Sequence, residues 1–148
     1  MWPFKPNLDI EKILHGMIVD IDGEKGETFK KNIELLVKNK RSSIPQLIQT
    51  LMSYKTDAMA MVPFAQAAAN VLVYLSFDQR SQQLVFDGLI SALYKDDKRG
   101  NFKVLPSMVF TRIGKLAVPC LLKEQNSKRA KANKDVSETI SWLLSRIK

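Results

Sequence analysis

One cysteine and one histidine are all that the 148-residue sequence holds of the side chains that most often bind metals or attack electrophiles. Cys120, standing alone, excludes an internal disulfide framework and suits a reducing compartment such as the cytoplasm. It lies in the apolar run Val118, Cys120, Leu121, Leu122, with no histidine or clustered cations in the same turn to stabilise a thiolate. It reads as a small core residue. A structural zinc site needs several nitrogen or sulfur ligands, more than His15 and Cys120 supply. His15 sits beside Leu14 and Met17 and reads as a helix-surface residue, not a general base. No metal and no cofactor is expected.

Other signals are missing too. No stretch keeps a period-two alternation for long and no Asn-Gly hairpin signal occurs, which argues against strands. There is no nucleophile elbow, phosphate-binding glycine loop or dinucleotide fingerprint, so catalysis is not expected. The acidic run Asp20-Ile21-Asp22-Gly23-Glu24 looks superficially like a calcium loop. Such a loop needs glycine at its sixth position and glutamate at its twelfth, and here those are Lys25 and Lys31. It reads as an acidic turn between helices. Met1 to Pro6 shows no long apolar region or small-residue cleavage site, so no secretory signal is expected. Ala58 to Leu75 is the segment to weigh as a membrane span, but it contains Pro63, Gln66 and Asn70 and leans on alanine. It reads as the central helix of a bundle, with no membrane span expected.

What is present is helical periodicity. A hydrophobic share of 45% with 26% charged residues is ordinary for a folded globular chain, and the length suits one domain over residues 1–148. Asn7 can cap a first helix to about Val19, with Ile10, Ile13, Leu14 and Met17 on one face. A second, Glu27 to Asn39, turns Phe29, Ile33, Leu36 and Val37 inward. Ser42 or Ser43 caps a third, striped by Ile44, Leu47, Ile48, Leu51 and Met52. A largely apolar helix runs from Asp57 through Pro63, where it kinks or restarts, to Leu75. A fifth starts at Asp78 or Ser81, with Leu84, Val85, Leu89, Ile90 and Leu93 inside. Lys95 to Lys103 is a loop. The sixth helix opens at Leu105-Pro106 and buries Met108, Val109 and Ile113. Gly114 interrupts it, and Val118-Pro119 starts a short seventh with Leu121 and Leu122. The last carries Val136, Ile140, Leu143, Leu144 and Ile147. The sequence is read as all-α.

Four aliphatic-proline pairs, Ile44-Pro45, Val62-Pro63, Leu105-Pro106 and Val118-Pro119, each stand where a helical pattern begins. Proline lacks an N–H and its φ is fixed near a helical value, so the first turn of a helix accepts it without cost. The segment Arg112-Ile113-Gly114-Lys115-Leu116-Ala117-Val118-Pro119-Cys120-Leu121-Leu122 resembles the inter-helix turn of a HEAT repeat. In that family a first helix ends near a glycine and an Ala-Val-Pro-x-Leu-Leu-like run opens the second. Ser43-Ile44-Pro45-Gln46-Leu47-Ile48 is similar, as a weaker copy. Pro45 and Pro119 are 74 residues apart, two periods of 37, with Gln82 midway. The resemblance implies a short right-handed α-solenoid of stacked antiparallel helix hairpins, about seven or eight helices in all. Residues 7–26 would form an N-terminal capping helix and loop, and residues 27–148 about three helix pairs. The alternative is an irregular helical bundle whose prolines merely start helices.

Members of that family mostly bind other macromolecules along a concave surface lined by the second helices, and a few are enzymes. The resemblance therefore implies a non-catalytic scaffold or adaptor for a protein partner. The charge raises a second reading. The net charge is +8, yet residues 1–74 hold 9 Lys/Arg against 8 Asp/Glu, while residues 75–148 hold 14 against 7. The basic residues fall in two clusters: Lys95, Lys98, Arg99 and Lys103; then Lys123, Lys128, Arg129, Lys131 and Lys134. If the units stack, equivalent loops share one edge and the clusters merge into a ridge suited to nucleic acid, diluted by Asp96, Asp97 and Glu124. Trp2-Pro3-Phe4 is a further candidate contact.

Overall fold

The computed structural model describes residues 10–19, 26–52, 62–95 and 104–147. Every regular element among them is helical: α1 (Ile10–Val19), α2 (Glu27–Lys38), α3 (Lys40–Met52), α4 (Val62–Ser76), α5 (Gln82–Leu93), α6 (Val104–Ile113), a 3-10 turn (Gly114–Ala117), α7 (Val118–Gln125), α8 (Lys128–Lys131) and α9 (Lys134–Arg146). The chain is all-α, as its periodicity predicts. The Asn7 cap, Trp2-Pro3-Phe4, the acidic turn at Asp20 to Glu24 and the Asp57 helix start lie outside the described residues.

The helices pack both on their neighbours in sequence and on helices two or three further along. α4 is the centre, in contact with α1, α3, α5 and α6, while α9 closes the C-terminal end against α6, α7 and α8. One continuous apolar core runs from Leu14 on α1 to Leu143 on α9. It includes Leu36, Leu47, Leu72, Leu89 and Leu121, all fully buried. Phe29 of α2 meets Tyr74 of α4 edge to face, with ring centroids 5.0 Å apart, a favourable aromatic geometry.

The α2–α3 junction departs from the sequence reading. Asn39 alone separates the helices: its N–H and its side-chain Nδ2 both donate to Leu35 O, and its own carbonyl accepts the N–H groups of Ser42 and Ser43. Asn39 thus closes α2 and opens α3, which begins at Lys40 and leaves Pro45 inside the helix and not at its start. Ser43 does not cap. Fully buried, it donates its hydroxyl to Leu36 O at 2.7 Å, satisfying a carbonyl in the last turn of α2.

The α4–α5 junction uses the same device. Ser81, also buried, donates its hydroxyl to Leu75 O at 2.8 Å. Ala117 is fully buried at the corresponding place before α7, and four residues beyond each of these positions stand Leu47, Val85 and Leu121, all fully buried. The matching positions are therefore spaced 38 and 36 residues apart, with Ser81 and not Gln82 keyed to its neighbours.

Further differences concern faces. Pro63 lies in the first turn of α4 as described, with the residues before Val62 outside the described set. Met108 and Leu122, expected inside, are 40% and 45% exposed, whereas Phe110 is fully buried. In α6 the inward stripe is Pro106, Val109, Phe110 and Ile113, an i, i+3, i+4, i+7 set. Gly114 does break the helix, with φ +76, a left-handed conformation costly for other residues. Leu105–Gln125, 21 residues, is long and apolar enough by length and composition alone to cross a membrane. Here it is divided at Gly114, and its halves pack on α4, α5 and α9.

Two substitutions test these junctions by urea denaturation. Ser43→Ala removes only the hydroxyl and is expected to cost about 1–2 kcal/mol. Gly114→Ala meets no atom within 4 Å of the new methyl, so its expected cost of about 1–2 kcal/mol is purely conformational. Wild-type stability in either variant would refute the role given to that residue.

Candidate functional site

An apolar surface feature lies between α3 and α5. The two helices run parallel: Lys40 Nζ at the start of α3 donates to Arg80 O just before α5, at 2.6 Å. Arg80 pins this end further. Its guanidinium donates to both carboxylate oxygens of Glu34 on α2, at 3.0 and 3.2 Å, and to Asp78 at 2.6 and 2.9 Å. Hydrogen bonding to Arg80 holds the Glu34 and Asp78 carboxyls below their ordinary range and raises the guanidinium in turn. Glu34 and Arg80 are exposed and Asp78 is half-buried, so the cluster orients the helix starts more than it stabilises them.

Half-way along, Gly88 makes close approach possible. A Cβ there would lie 2.1 Å from Ile48 Cδ1, so only glycine lets Ile48 lie over α5 without moving aside. Above this contact opens an apolar groove of about 250 Å³, floored by Ile44, Ile48, Leu84 and Ala92 and walled by Pro45 and Ser91. Arg41 and Lys95, both exposed, complete the lining. Among the described residues, its lining holds two cations and no carboxylate.

The basic residues singled out in the sequence are distributed around a second feature. Lys98, Arg99 and Lys103 lie outside the described residues. Lys95 is exposed after α5, Lys123 is exposed on α7, and Lys128, Arg129 and Lys131 make up most of α8, all exposed. The end of α5 meets the last turn of α7 and α8. Tyr94 Oη donates to Glu124, and the Arg129 guanidinium lies over the Tyr94 ring, 4.6 Å from its centroid. Arg129 also donates to Glu124 at 2.6 and 3.1 Å, and Ser127 Oγ adds another donor at 3.1 Å. Arg129 is therefore committed to a carboxylate and a ring, while Lys95, Lys123, Lys128 and Lys131 are exposed.

Arg129 holds the Glu124 carboxyl below its ordinary value, with Tyr94 and Ser127 assisting and burial opposing. Burial, then the Glu124 contact, raises the Tyr94 phenol. Cys120, half-buried against the core, has its thiol pushed up to about 11 by burial, with Asp87 and Glu124 adding to the effect and Lys123 opposing it. It remains a protonated thiol at neutral pH, a poor nucleophile. Asp78 is engaged by Arg80, and Asp87 accepts from Gln83 Nε2 at 2.8 Å. Among the described residues, no three His, Cys, Asp or Glu side chains gather where they could hold a metal ion.

The groove and Arg41 were not singled out from the sequence. The available signal was Gly88, an isolated glycine inside a strong helical stripe, which usually marks close packing. No protein-family model matches the chain, and no curated protein and no solved structure is significantly similar to it. Fold and surface together define a class only: an all-helical protein bearing a basic-rimmed apolar groove.

The Glu124 cluster gives a pH-dependent expectation. Its folded-state ionisation lies below the ordinary 4.5, so its stabilisation is complete above that value and is lost as pH falls through the folded one. Denaturation from pH 7 to 3 should show stability declining below about 4.5, and Glu124→Gln should cost about 1–2 kcal/mol at pH 7 and flatten that decline. An unchanged slope in the variant would mean that Glu124 does not carry it.

Proposed function

We propose that the chain is a non-catalytic helical scaffold that binds a protein partner in the groove between α3 and α5. The observation that carries this reading is the groove itself: an aliphatic floor left open between two helices, with no nucleophile, base and oxyanion donors gathered in its lining among the described residues. The HEAT-like sequence pattern supports it, because such proteins bind along their second helices, and α3 and α5 hold that position in their pairs. The repeated serine contacts at Ser43 and Ser81 agree with a stack of related units.

The basic edge favours a second reading, nucleic-acid binding. Tyr94, Glu124 and Arg129 join the end of α5 to α7 and α8, the segments that carry Lys95, Lys128 and Lys131, and this supports a shared basic edge. Glu124 neutralises Arg129 there, which weakens a phosphate-binding ridge.

Affinity capture from the native host tests the first reading. Ser91→Trp fills the groove from its exposed wall, and Lys134→Ala alters a distant exposed site. A specific partner should be retained by the wild type and Lys134→Ala and lost by Ser91→Trp. Retention by all three would remove the groove from the reading. Anisotropy with duplex and single-stranded DNA at two salt concentrations separates the second: binding that collapses as salt rises would replace the scaffold reading with the nucleic-acid one.

A further inference from the structure

The groove has a direction and a charge pattern that specify its occupant, provided that the scaffold reading above holds. Lys40 against Arg80 and Ile48 against Gly88 align α3 and α5 in parallel, so equal steps along the two helices stay side by side. Arg41 stands in the first turn of α3, at the end where Leu84 begins the α5 wall, and Lys95 stands just beyond the far end of α5. From Leu84 to Lys95 is eleven residues, or ~16 Å at the helical rise. The lining between them is aliphatic, apart from the Ser91 hydroxyl. Among the described residues, neither Arg41 nor Lys95 takes part in an ion pair, and no carboxylate lines the groove.

We propose that the groove takes a peptide segment of the partner protein that carries aliphatic anchors at its centre and acidic residues toward both ends. The carboxylates would meet Arg41 and Lys95, and the anchors would displace water from Ile44, Ile48 and Leu84. The spacing fits about five residues of extended chain or three turns of helix. A bidentate carboxylate contact suits the Arg41 fork, and Lys95 supplies a point charge. Nucleic acid fits less well, because the floor has no aromatic ring for base stacking and two cations do not form a phosphate track. A fatty acid brings one carboxylate for two cations, and the volume lies below that of a usual small-molecule pocket.

The test is a selection from displayed random peptides of about twelve residues, long enough to cross the groove as helix or strand. The folded full chain is the bait, and Ser91→Trp is the counter-selection. Peptides enriched on the wild type should carry Asp or Glu on both sides of an aliphatic pair and avoid Lys and Arg. A synthetic peptide from that set should lose about tenfold in affinity with Arg41→Glu or with Lys95→Glu, both exposed and checked for folding by circular dichroism. Enriched peptides without acidic bias, or with affinity untouched by both charge reversals, would overturn this inference and leave a peptide-binding scaffold standing. Equal enrichment on Ser91→Trp would overturn it by locating the binding elsewhere. No enrichment above bare support would overturn it too, leaving the lysate capture to decide the scaffold reading. Displacement of the peptide by duplex DNA at low salt would transfer the surface to the nucleic-acid reading.

Discussion

A buried serine hydroxyl, donated back to a carbonyl of the preceding helix, sets how successive helices meet in this chain. Helix ends leave carbonyls without partners, and burying such an end demands a donor. Ser43 answers Leu36, and Ser81 answers Leu75. Each contact places the leucine or valine one turn later, Leu47 or Val85, into the core. Before α7 the position is Ala117 and no hydroxyl is available. There the chain turns through Gly114 at positive φ and a 3-10 segment instead. Different local chemistry thus delivers Leu121 to the equivalent fully buried place.

The groove follows from these junctions. With the starts of α3 and α5 anchored by Ser43, Ser81 and the Lys40–Arg80 contact, the two helices lie parallel. Gly88 then allows Ile48 to cross the α5 backbone. Close approach at mid-length and shared anchoring at one end leave an open seam above the contact, where the side chains at Ser91 and Ala92 are too small to fill it. The seam is therefore a product of residue size at a few positions, and its open state costs the core little, because Leu89 and Leu93 on the opposite face of α5 are fully buried.

Helix content and order were legible because each helix buries one face, which writes a 3.6-residue period into the sequence. Gly114 was legible for the same kind of reason, since it interrupts that period at a residue permissive of positive φ. The faces of α6 and α7 were less so. Met108 and Leu122 are as apolar as their buried neighbours, and only the packing partners decide that Phe110 and Leu121 go inward. The start of α3 was hidden because a serine before a helical stripe signals an N-cap, whereas Ser43 spends its hydroxyl on a helix seven residues back. The unequal spacing, 38 then 36, was hidden behind two prolines whose total separation is two even periods. Of the candidate surface, the basic residues were legible as charge, but not their partners: Tyr94 and Glu124 stand 30 residues apart.

That pairing alters what the positive charge can do. A run such as Lys128-Arg129-Ala130-Lys131 suggests three cations for an anionic ligand, but Arg129 is held between a carboxylate and a ring. Moving the Arg129 guanidinium to a phosphate would strip Glu124, only 12% exposed, of its main cationic partner. A partly buried carboxylate resists that loss. The α8 edge thus spends its best-shaped anion-binding group on joining α8 to the ends of α5 and α7, and Arg41, on the groove rim, is engaged in no ion pair among the described residues. Guanidinium chemistry available to an incoming carboxylate is therefore found beside aliphatic surface, where peptide recognition can use both.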